Sequence, residues 1–292
     1  MTLLKTFIDT YKEQIENTMY EEIENLNAPI SLIKAMEYSL RAGGKRIRPI
    51  LVLATMEAFG RNCQNGLKVA AGLEMIHTYS LIHDDLPSMD DDDLRRGKPT
   101  NHKVFGEAQA ILAGDALLTH SFYLIATSEL TAEQRVNLIT ELSLSAGAEG
   151  MVGGQVADIE GEDMVLTPQE LESIHQRKTG RLLEFSVLAG GIMSGADDIQ
   201  QAKLKEYAKH IGLAFQIRDD ILDVEGEEEE IGKPVGSDES RNKSTYPALL
   251  GMEGAKQKLS SHLTFAKDAL QDLPLQNDYL TLIADMIVQR RS

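Results

Sequence analysis

The sequence predicts an all-α fold. Leucine, alanine, glutamate, lysine and methionine are frequent, whereas runs in which β-branched residues alternate with polar ones are scarce. Apolar residues recur at spacings of three and four in most windows, which is typical of helices that bury one face. Several predicted helices exceed ~20 residues and are apolar on more than one stripe, as the core helices of a large bundle are.

Ten helices are predicted along the chain, and local signals help to place their ends. They span roughly 1–25, 29–41, 47–60, 66–86, 105–128, 131–157, 167–191, 196–223, 245–270 and 275–290. Pro29, Pro49 and Pro168 stand where a helix can begin, because the fixed φ of proline suits the first turn. Thr167 and Glu170 have the spacing of a capping box ahead of the seventh helix.

We predict a single domain over residues 1–292, because no shift in composition marks a boundary. The weakest segment is 225–243, whose glycines and glutamates favour a mobile charged loop. The N-terminus lacks a basic segment followed by a long apolar run, so we expect no signal peptide. Cys63 is the only cysteine, which fits a reducing compartment, and we expect a cytoplasmic protein.

The chain is strongly acidic. It carries 29 Lys and Arg against 46 Asp and Glu, a formal net charge of −17. Such a field repels nucleic acids and anionic lipid, and no stretch approaches the ~18 apolar residues of a membrane span. We therefore predict no nucleic-acid partner and no stable membrane insertion. A protein of this charge that handles an anion needs local cations or bound metal.

Two aspartate clusters stand at the ends of apolar helices. The first runs from Asp84 to Asp93, and the second consists of Asp219, Asp220 and Asp223. The helix dipole disfavours anions at such ends, and neighbouring aspartates also repel one another. A cluster that violates two local rules is more typical of a functional site than of a solvated helix end.

The spacing of these aspartates suits a magnesium site. Asp219 and Asp223 are four residues apart and therefore share a helix face. Asp84 and Asp90 would diverge by ~240° on a straight helix, but Pro87 between them must break or kink it and can bring both carboxylates to one point. Carboxylate oxygens with room for water suit Mg²⁺, which keeps coordination positions for phosphate.

Cations accompany both clusters. Lys45 and Arg48 follow Gly43-Gly44 at a helix start, where they can grip one anion together with the helix N-terminus. The other candidate phosphate binders are Arg95, Arg96, Lys178, Lys233 and Lys243. Plain surface positions are equally compatible with the sequence for Arg46, Lys103 and Arg181. Two carboxylate clusters with two groups of cations predict two diphosphate sites.

Taken together, these residues resemble the trans-prenyl diphosphate synthase family. The motifs are Gly-Gly-Lys-Arg-x-Arg-Pro at 43–49, Asp-Asp-x-x-x-x-Asp at 84–90 followed by Arg-Arg-Gly, Gly-Gly-Gln at 153–155, Lys-Thr at 178–179 and Phe-Gln-x-x-Asp-Asp-x-x-Asp at 215–223. The match covers nearly the whole chain. The first motif has the two extra residues of the bacterial, farnesyl-producing type.

The resemblance implies an isoprenoid synthase fold of ten or more helices around a deep central cavity, in a homodimer. It also implies a Mg²⁺-dependent transferase that condenses isopentenyl diphosphate with dimethylallyl and then geranyl diphosphate to give (2E,6E)-farnesyl diphosphate. Metal and cations stabilise the leaving diphosphate, so an allylic cation forms and is attacked by the double bond of isopentenyl diphosphate. The sequence offers no obvious base, which leaves the departing diphosphate to take the proton.

The resemblance further assigns roles to individual residues. Three Mg²⁺ ions would be held by Asp84, Asp90 and Asp219. Isopentenyl diphosphate would be bound by Lys45, Arg48, His77 and Arg96. The allylic diphosphate would be bound by Arg95, Lys178, Thr179, Gln216 and Lys233. The catalytic residues would be Lys178, Thr179 and Gln216, of which the last two would face the allylic carbon.

Product length is assigned to the helix that precedes the first cluster. Ser80 lies four residues before Asp84 on nearly the same helix face, and Tyr79 lies ~100° further round. The allylic tail is expected to run down this helix. In the resembling family an aromatic side chain at this depth blocks elongation beyond C15. The alternative is that Tyr79 is an ordinary core residue.

Other functions compete with this interpretation. A geranylgeranyl diphosphate synthase would use the same chemistry and make a longer product. Glu74-x-x-His77 and Glu172-x-x-His175 have the spacing of di-iron carboxylate bundles, although that leaves the aspartate clusters and the cations unexplained. A non-catalytic partner subunit should lose motif aspartates, and a terpene cyclase should carry Asn, Ser and Glu in the second motif; the sequence shows neither change.

Overall fold

The chain is described by a computed structural model over residues 2–162, 164, 166–226 and 244–290. These residues group into two compact units, one of Met1–Leu53 and Asn62–Ile139, the other of Ala54–Arg61 and Thr140–Ser292. Lys233 and Lys243 lie outside the described residues, as does most of the predicted loop 225–243. The prediction of a single domain with a central cavity concerns both units together, and it stays a prediction.

Helices make up most of the first unit. Their bounds are α1 Thr2–Glu24, α2 Ile30–Leu40, α3 Ile47–Ala58, α4 Leu67–Asp84, α5 Asn101–Phe105 and α6 Glu107–Ala126. A 3-10 turn at Cys63–Gly66 precedes α4, and a small hairpin of β1 Leu94–Arg95 and β2 Lys98–Pro99 precedes α5. The C-terminal part of α3 belongs to the second unit.

The second unit is also helical. Its helices are α7 Ala132–Ala146, which begins in the first unit, α8 Met151–Glu160, α9 Pro168–His175, α10 Arg181–Ser194, α11 Asp198–Glu225, α12 Tyr246–Leu270 and α13 Tyr279–Gln289. An all-α fold of ten or more helices is thereby confirmed. Within the described ranges, no helix is both long enough and apolar enough to cross a membrane.

Three predicted helices are interrupted. The predicted helix 131–157 splits at 147–150, where a Cβ on Gly150 would come within 2.0 Å of the Ser145 carbonyl oxygen. The predicted helix 167–191 contains a π-helical turn, Gln176–Gly180. In α12, Gly251 adopts a φ of 71°, a conformation that favours glycine. By contrast, the capping box of Thr167 and Glu170 forms as predicted.

Helix α4 forms the centre of the first unit. Its residues 69–76 are buried without interruption, and it packs against α6 and α1. Gly72 allows the approach to α6, since a Cβ there would lie 3.0 Å from the Ser121 carbonyl oxygen. Glu74 lies in the middle of this buried stretch with only 2% of its surface exposed. A buried carboxylate of this kind requires a cation.

Arg46 supplies that cation. It donates from Nη1 to Glu74 Oε1 at 2.8 Å and from Nε to Glu16 Oε1 at 3.0 Å, while Nη2 donates to the Leu40 carbonyl oxygen at 2.6 Å. All three guanidinium nitrogens therefore donate a hydrogen bond, and Arg46 is 3% exposed. The interpretation of Arg46 as a surface cation is wrong, because its two acidic partners lie on other helices and only folding brings them together.

We expect Arg46→Met to lower the free energy of unfolding by about 3–5 kcal/mol, because it leaves Glu74 buried without a cation. Urea unfolding measures the loss. Arg41→Met is the matched control, since Arg41 pairs with Glu24 and Glu37 at the exposed surface. Its removal should cost under ~1 kcal/mol. Equal losses in the two variants would contradict a special contribution from the buried ion pairs.

Helices α11 and α12 form the core of the second unit and also carry a histidine pair. Ile217, Ile221 and Leu259 are among the apolar residues buried between neighbouring elements there. His210 Nδ1 and His262 Nδ1 lie 2.9 Å apart, so one ring donates and the other accepts. Burial lowers the pKa of His262 to about 4, and the nearby His210 and Lys258 add to the effect.

This pair predicts a loss of stability in mild acid. A histidine in the unfolded chain titrates near ~6.5, whereas folded His262 has a pKa of about 4. Between these values the unfolded chain binds more protons, so the free energy of unfolding should fall as the pH drops, by at most ~1.4 kcal/mol per pH unit. Urea unfolding at pH 7.5 and pH 5 should show a smaller difference for His262→Gln than for the wild type. The same difference in both proteins would exclude His262 as its source.

Candidate active site

The first aspartate cluster forms a loop that turns back at the end of α4. The helix ends at Asp84, and Pro87 prevents its continuation. The backbone N–H of Asp90 then donates to the carbonyl oxygen of Asp84 at 2.9 Å, and that of Asp91 donates to Leu86 at 3.1 Å. Asp91 has a φ of 50°, which aspartate tolerates better than most residues. Asp84 and Asp90, which are six positions apart in sequence, are thereby in backbone contact.

Asp85, the second residue of this cluster, holds Arg95. The Arg95 Nε and Nη2 atoms lie 2.7 and 2.6 Å from Asp85 Oδ1. Asp85 is 3% exposed. Burial raises the pKa of Asp85, and the hydrogen bond from Arg95 opposes this shift. The structure thus separates Asp84, which is partly exposed at the start of the loop, from a buried Asp85 that positions a cation.

The hairpin turn presents the next cation. Arg96 and Gly97 have φ values of 54° and 73°, the two positive values of a type I′ turn, and Arg95 pairs with Lys98 across it. The guanidinium of Arg96 lies against Gly44, where an added Cβ would be 2.5 Å from Nη1. Glycine at position 44 therefore leaves room for Arg96 beside the segment that carries Lys45.

Arg48 and His77, two of the predicted diphosphate binders in the first unit, contact each other. Arg48 Nη1 lies 3.4 Å from His77 Nε2. A guanidinium can only donate, so Nε2 must accept and the imidazole is neutral. Burial lowers the pKa of His77 well below its ordinary value, and the charges of Arg48 and Arg96 act in the same direction. Lys45 is exposed in the same stretch of chain.

In the second unit, the π-helical turn carries Lys178 and Thr179. Helix α8 supports this turn, because a Cβ on Gly154 would lie 2.2 Å from the Lys178 backbone nitrogen. One turn further along α8, Asp158 accepts a hydrogen bond of 2.6 Å from Lys178 Nζ. Such π-turns are frequent at functional sites, where they change the direction in which side chains project.

A chain of hydrogen bonds links this turn to the second aspartate cluster. Thr179 Oγ1 donates to Gln216 Oε1 at 3.3 Å, and Gln216 Nε2 donates to Asp220 Oδ1 at 3.2 Å. Asp220 Oδ2 accepts from the backbone N–H of Tyr246 at 2.9 Å, which anchors the start of α12. A cavity of about 110 Å³ is lined by Lys178, Thr179, Gln216 and Asp220, among others.

Asp219 is the most accessible aspartate of the second cluster. Its side chain is 44% exposed and lies 2.5 Å from Arg290 Nη2, whose guanidinium also stacks on the Phe215 ring. Asp220 and Asp223 are only 2% and 9% exposed. The exposed fraction of the side chain therefore distinguishes Asp219, which was predicted to bind metal, from the buried Asp220 and Asp223.

The carboxylates fit a magnesium site better than a preformed metal cage. Within the described part of the chain, no three His, Cys, Asp or Glu residues are grouped as a set of metal ligands. Mg²⁺ does not need such a set, because it binds one or two carboxylates and takes its remaining ligands from water and substrate phosphate. Asp84, Asp90 and Asp219 offer hard oxygen donors of this kind and are partly exposed, whereas Asp85 and Asp220 are buried.

The competing di-iron interpretation is wrong for these glutamates. Glu74 is occupied by Arg46 at 2.8 Å. Glu172 pairs with Lys258 at 2.9 Å and accepts from Gln176. His175 stacks on the ring of Tyr246 with centroids 5.8 Å apart. Both glutamates are therefore engaged in ion pairs with cations of the protein.

Comparison with known proteins agrees with the geometry. The profile of the polyprenyl synthetase family matches residues 30–274, so the chain belongs to that family. It is 56% identical over 290 residues to a farnesyl diphosphate synthase of Bacillus subtilis, covering 98% of both chains. It is likewise 56% identical over 292 residues to the farnesyl diphosphate synthase of Geobacillus stearothermophilus, again with 98% of both chains covered.

The fold has close structural relatives as well. The crystal structure of an FPP/GFPP synthase from Zymomonas mobilis superposes with a TM-score of 0.87 at 36% sequence identity, covering 98% of this chain and 99% of the other. The all-α architecture is thus that of the isoprenyl synthases, as the sequence predicted. Neither comparison assigns roles to individual residues.

We expect Gly154→Ala to lower the free energy of unfolding by ~1–3 kcal/mol, because α8 and the π-turn must separate to admit the new Cβ. Gly180→Ala is the matched control in the same turn, since its Cβ would meet nothing closer than the His175 carbonyl oxygen at 3.6 Å. That variant should be neutral or stabilised by up to ~1 kcal/mol. If both substitutions have the same effect in urea unfolding, the close contact at Gly154 is not what holds the turn.

Proposed function

We propose that this chain is a Mg²⁺-dependent prenyltransferase that joins isopentenyl diphosphate to dimethylallyl diphosphate and then to geranyl diphosphate, releasing (2E,6E)-farnesyl diphosphate. The observation that carries the proposal is a pair of partly exposed aspartates next to a cation that a buried aspartate positions. Asp84 and Asp90 are joined by a backbone hydrogen bond, and Asp85, the neighbour of Asp84, holds Arg95. The names of the bacterial relatives at 56% identity support the same activity.

The cations divide between the two substrates. Isopentenyl diphosphate is bound by Lys45, Arg48, His77 and Arg96 in the first unit. Neutral His77 suits this task, because it can donate one hydrogen bond to an oxygen without adding a further charge to three neighbouring cations. The allylic diphosphate is bound by Arg95 and by Lys178, with Lys233 as a further contact outside the described residues.

Asp84, Asp90 and Asp219 hold the metal, and we assign three Mg²⁺ to them. When bound, Mg²⁺ neutralises negative charge that builds up on the departing diphosphate. The polypeptide contributes position: the backbone contact between Asp84 and Asp90 closes the loop, and Arg290 holds one oxygen of Asp219. Hydrogen bonds to a ligating carboxylate orient it and are a regular part of such sites.

The chemistry then needs little from acid or base side chains. The C–O bond of the allylic substrate breaks, the double bond of isopentenyl diphosphate forms the new C–C bond, and a proton leaves. Thr179 Oγ1 donates to Gln216, so its own lone pairs can face the cationic carbon. The departing diphosphate is the base, because it stays within reach of the proton. Catalysis rests on electrostatics and on positioning.

Tyr79 supports a C15 product over a C20 product. The side chain is 6% exposed on α4, five residues before Asp84. Burial raises its pKa to about 12, so the ring presents a neutral phenol at any physiological pH. A bulky ring at this position stops a tail that enters from the Asp84 end. Ser80 next to it is half-buried and donates to the His77 carbonyl oxygen, which keeps its hydroxyl away from the tail.

The working form is a homodimer in the cytoplasm. On α6, the apolar side chains of Ile111, Leu112 and Tyr123 are 43%, 55% and 56% exposed, and Val136 on α7 is 62% exposed. Several large exposed apolar residues on adjacent helices are typical of a protein interface. A second copy of the chain is the partner we assign to this face. The buried thiol of Cys63 fits a reducing compartment.

We expect Asp84→Asn to reduce turnover by at least about 100-fold at saturating Mg²⁺, since it removes one charged oxygen donor from the site. Product is measured from labelled isopentenyl diphosphate with geranyl diphosphate. Asp91→Asn is the matched control, because it removes an exposed carboxylate of the same cluster at a φ of 50° that asparagine also adopts. Near-wild-type turnover of Asp84→Asn would overturn the metal assignment, and absence of any C15 product from the wild type would overturn the proposed function.

A further inference from the structure

The ring of Tyr79 is supported by His83, one turn further along α4. The two rings meet edge to face, with centroids 5.7 Å apart and an interplanar angle of 78°. This is the preferred geometry of an aromatic pair, in which the edge of one ring contacts the face of the other. His83 is therefore the neighbour on the same helix that fixes the orientation of the Tyr79 ring.

Helix α6 in turn fixes His83. Its Nε2 atom lies 3.1 Å from the carbonyl oxygen of Ile111, and because a carbonyl can only accept, Nε2 carries the proton. Asp115 Oδ1 lies 3.9 Å from the same nitrogen. The ring also lies directly on Gly114, where an added Cβ would come within 2.2 Å of Nε2 and 2.5 Å of Cδ2. No other amino acid at position 114 leaves space for the imidazole in this place.

From these contacts we infer that His83 and Gly114 determine product length by holding Tyr79 across the path of the growing chain. The inference rests on the proposed function. The Tyr79 ring blocks the path of the tail, and the His83 ring packs against Tyr79. The absence of a side chain at Gly114 leaves room for the His83 imidazole. While His83 packs against it, the Tyr79 ring keeps its orientation when a longer tail contacts it. Without His83, the Tyr79 ring can rotate away from the tail.

The expected consequence is specific to product length. Without the imidazole, Tyr79 can rotate into the space that His83 leaves next to α6, and the floor of the tail site becomes deeper. Coupling itself uses the diphosphate-binding groups, which the substitution leaves in place. A defect in folding alone would lower the amount of every product equally, so the ratio of C20 to C15 product separates a specificity role from a structural one.

The test compares product ratios among variants of the full-length chain. Each enzyme is incubated with Mg²⁺, isopentenyl diphosphate and geranyl diphosphate, and the products are separated by length at equal conversion. His83→Ala should raise the ratio of C20 to C15 product by about fivefold or more, a factor typical of losing one edge-to-face contact. Tyr79→Ala serves as the positive control and should raise it further.

Gly114→Ala tests the same support while His83 is present. The new Cβ must displace the imidazole, so the product ratio should change. In a His83→Ala/Gly114→Ala double variant the ring is absent and the Cβ displaces nothing, so the ratio should equal that of His83→Ala alone. Gly72→Ala is the matched control, because it also adds a Cβ between α4 and α6, at 3.0 Å from the Ser121 carbonyl oxygen and away from Tyr79. It should leave the ratio unchanged.

The outcomes separate the inference from the function on which it rests. If wild-type enzyme makes C15 product and His83→Ala keeps the wild-type ratio, the inference is wrong and the proposed function stands. If His83→Ala gives too little product to analyse, Gly114→Ala decides, and a wild-type ratio in that variant overturns the inference. If Gly72→Ala shifts the ratio as strongly as Gly114→Ala, general helix packing sets product length and the His83 support does not.

Discussion

Carboxylates of the protein hold cations in place, and the candidate site depends on that pairing. Clustered cations such as Arg95, Arg96 and Arg48 repel one another, and long cationic side chains lose conformational entropy when they are held still. Asp85 holds Arg95 and Asp158 holds Lys178 through contacts of 2.6–2.7 Å, so both costs are offset when the chain folds. A diphosphate bound as proposed would then meet cations that are already oriented. Part of the large excess of acidic residues serves this arrangement, because these carboxylates hold cations of the candidate site.

Several of the proposed site residues lie where regular helix is interrupted. The first aspartate cluster follows the end of α4 at Pro87, Arg96 lies in a type I′ turn, and Lys178 and Thr179 lie in a π-turn. A continuous helix directs its side chains at fixed angles, so residues near in sequence cannot converge on one small ligand. An interruption permits convergence but leaves the backbone poorly supported. Close packing against glycine supplies the support at Gly154 and Gly44.

The sequence predicted the helices, the reversal after α4 and the capping box of α9, because each depends on residues within about one or two turns of one another. It did not show that Asp85 is buried and holds Arg95, it did not find Asp158, and it left a surface position open for Arg46. In these cases the deciding partner is 10 to 28 positions away in sequence, as in Asp85 with Arg95 and Arg46 with Glu74. Helical spacing could have indicated Asp158, which follows Gly154 by one turn, although only the fold shows that Lys178 lies opposite. The breaks at Gly150 and Gly251 were missed because apolar periodicity continues across them.

In the proposed function, product length follows from the placement of both ends of the tail site on one helix. Tyr79 and Asp84 are five residues apart on α4, which corresponds to a rise of ~7.5 Å. A helix buried along residues 69–76 and packed against α6 cannot stretch or shorten, so the distance from the diphosphate end to the Tyr79 ring is fixed by the backbone. On this proposal, product length depends on the Tyr79 side chain and on the neighbours that contact it. His83 orients it from the same helix, and Gly114 gives that imidazole its place on α6. The contact between α4 and α6 therefore contributes to specificity as well as to stability.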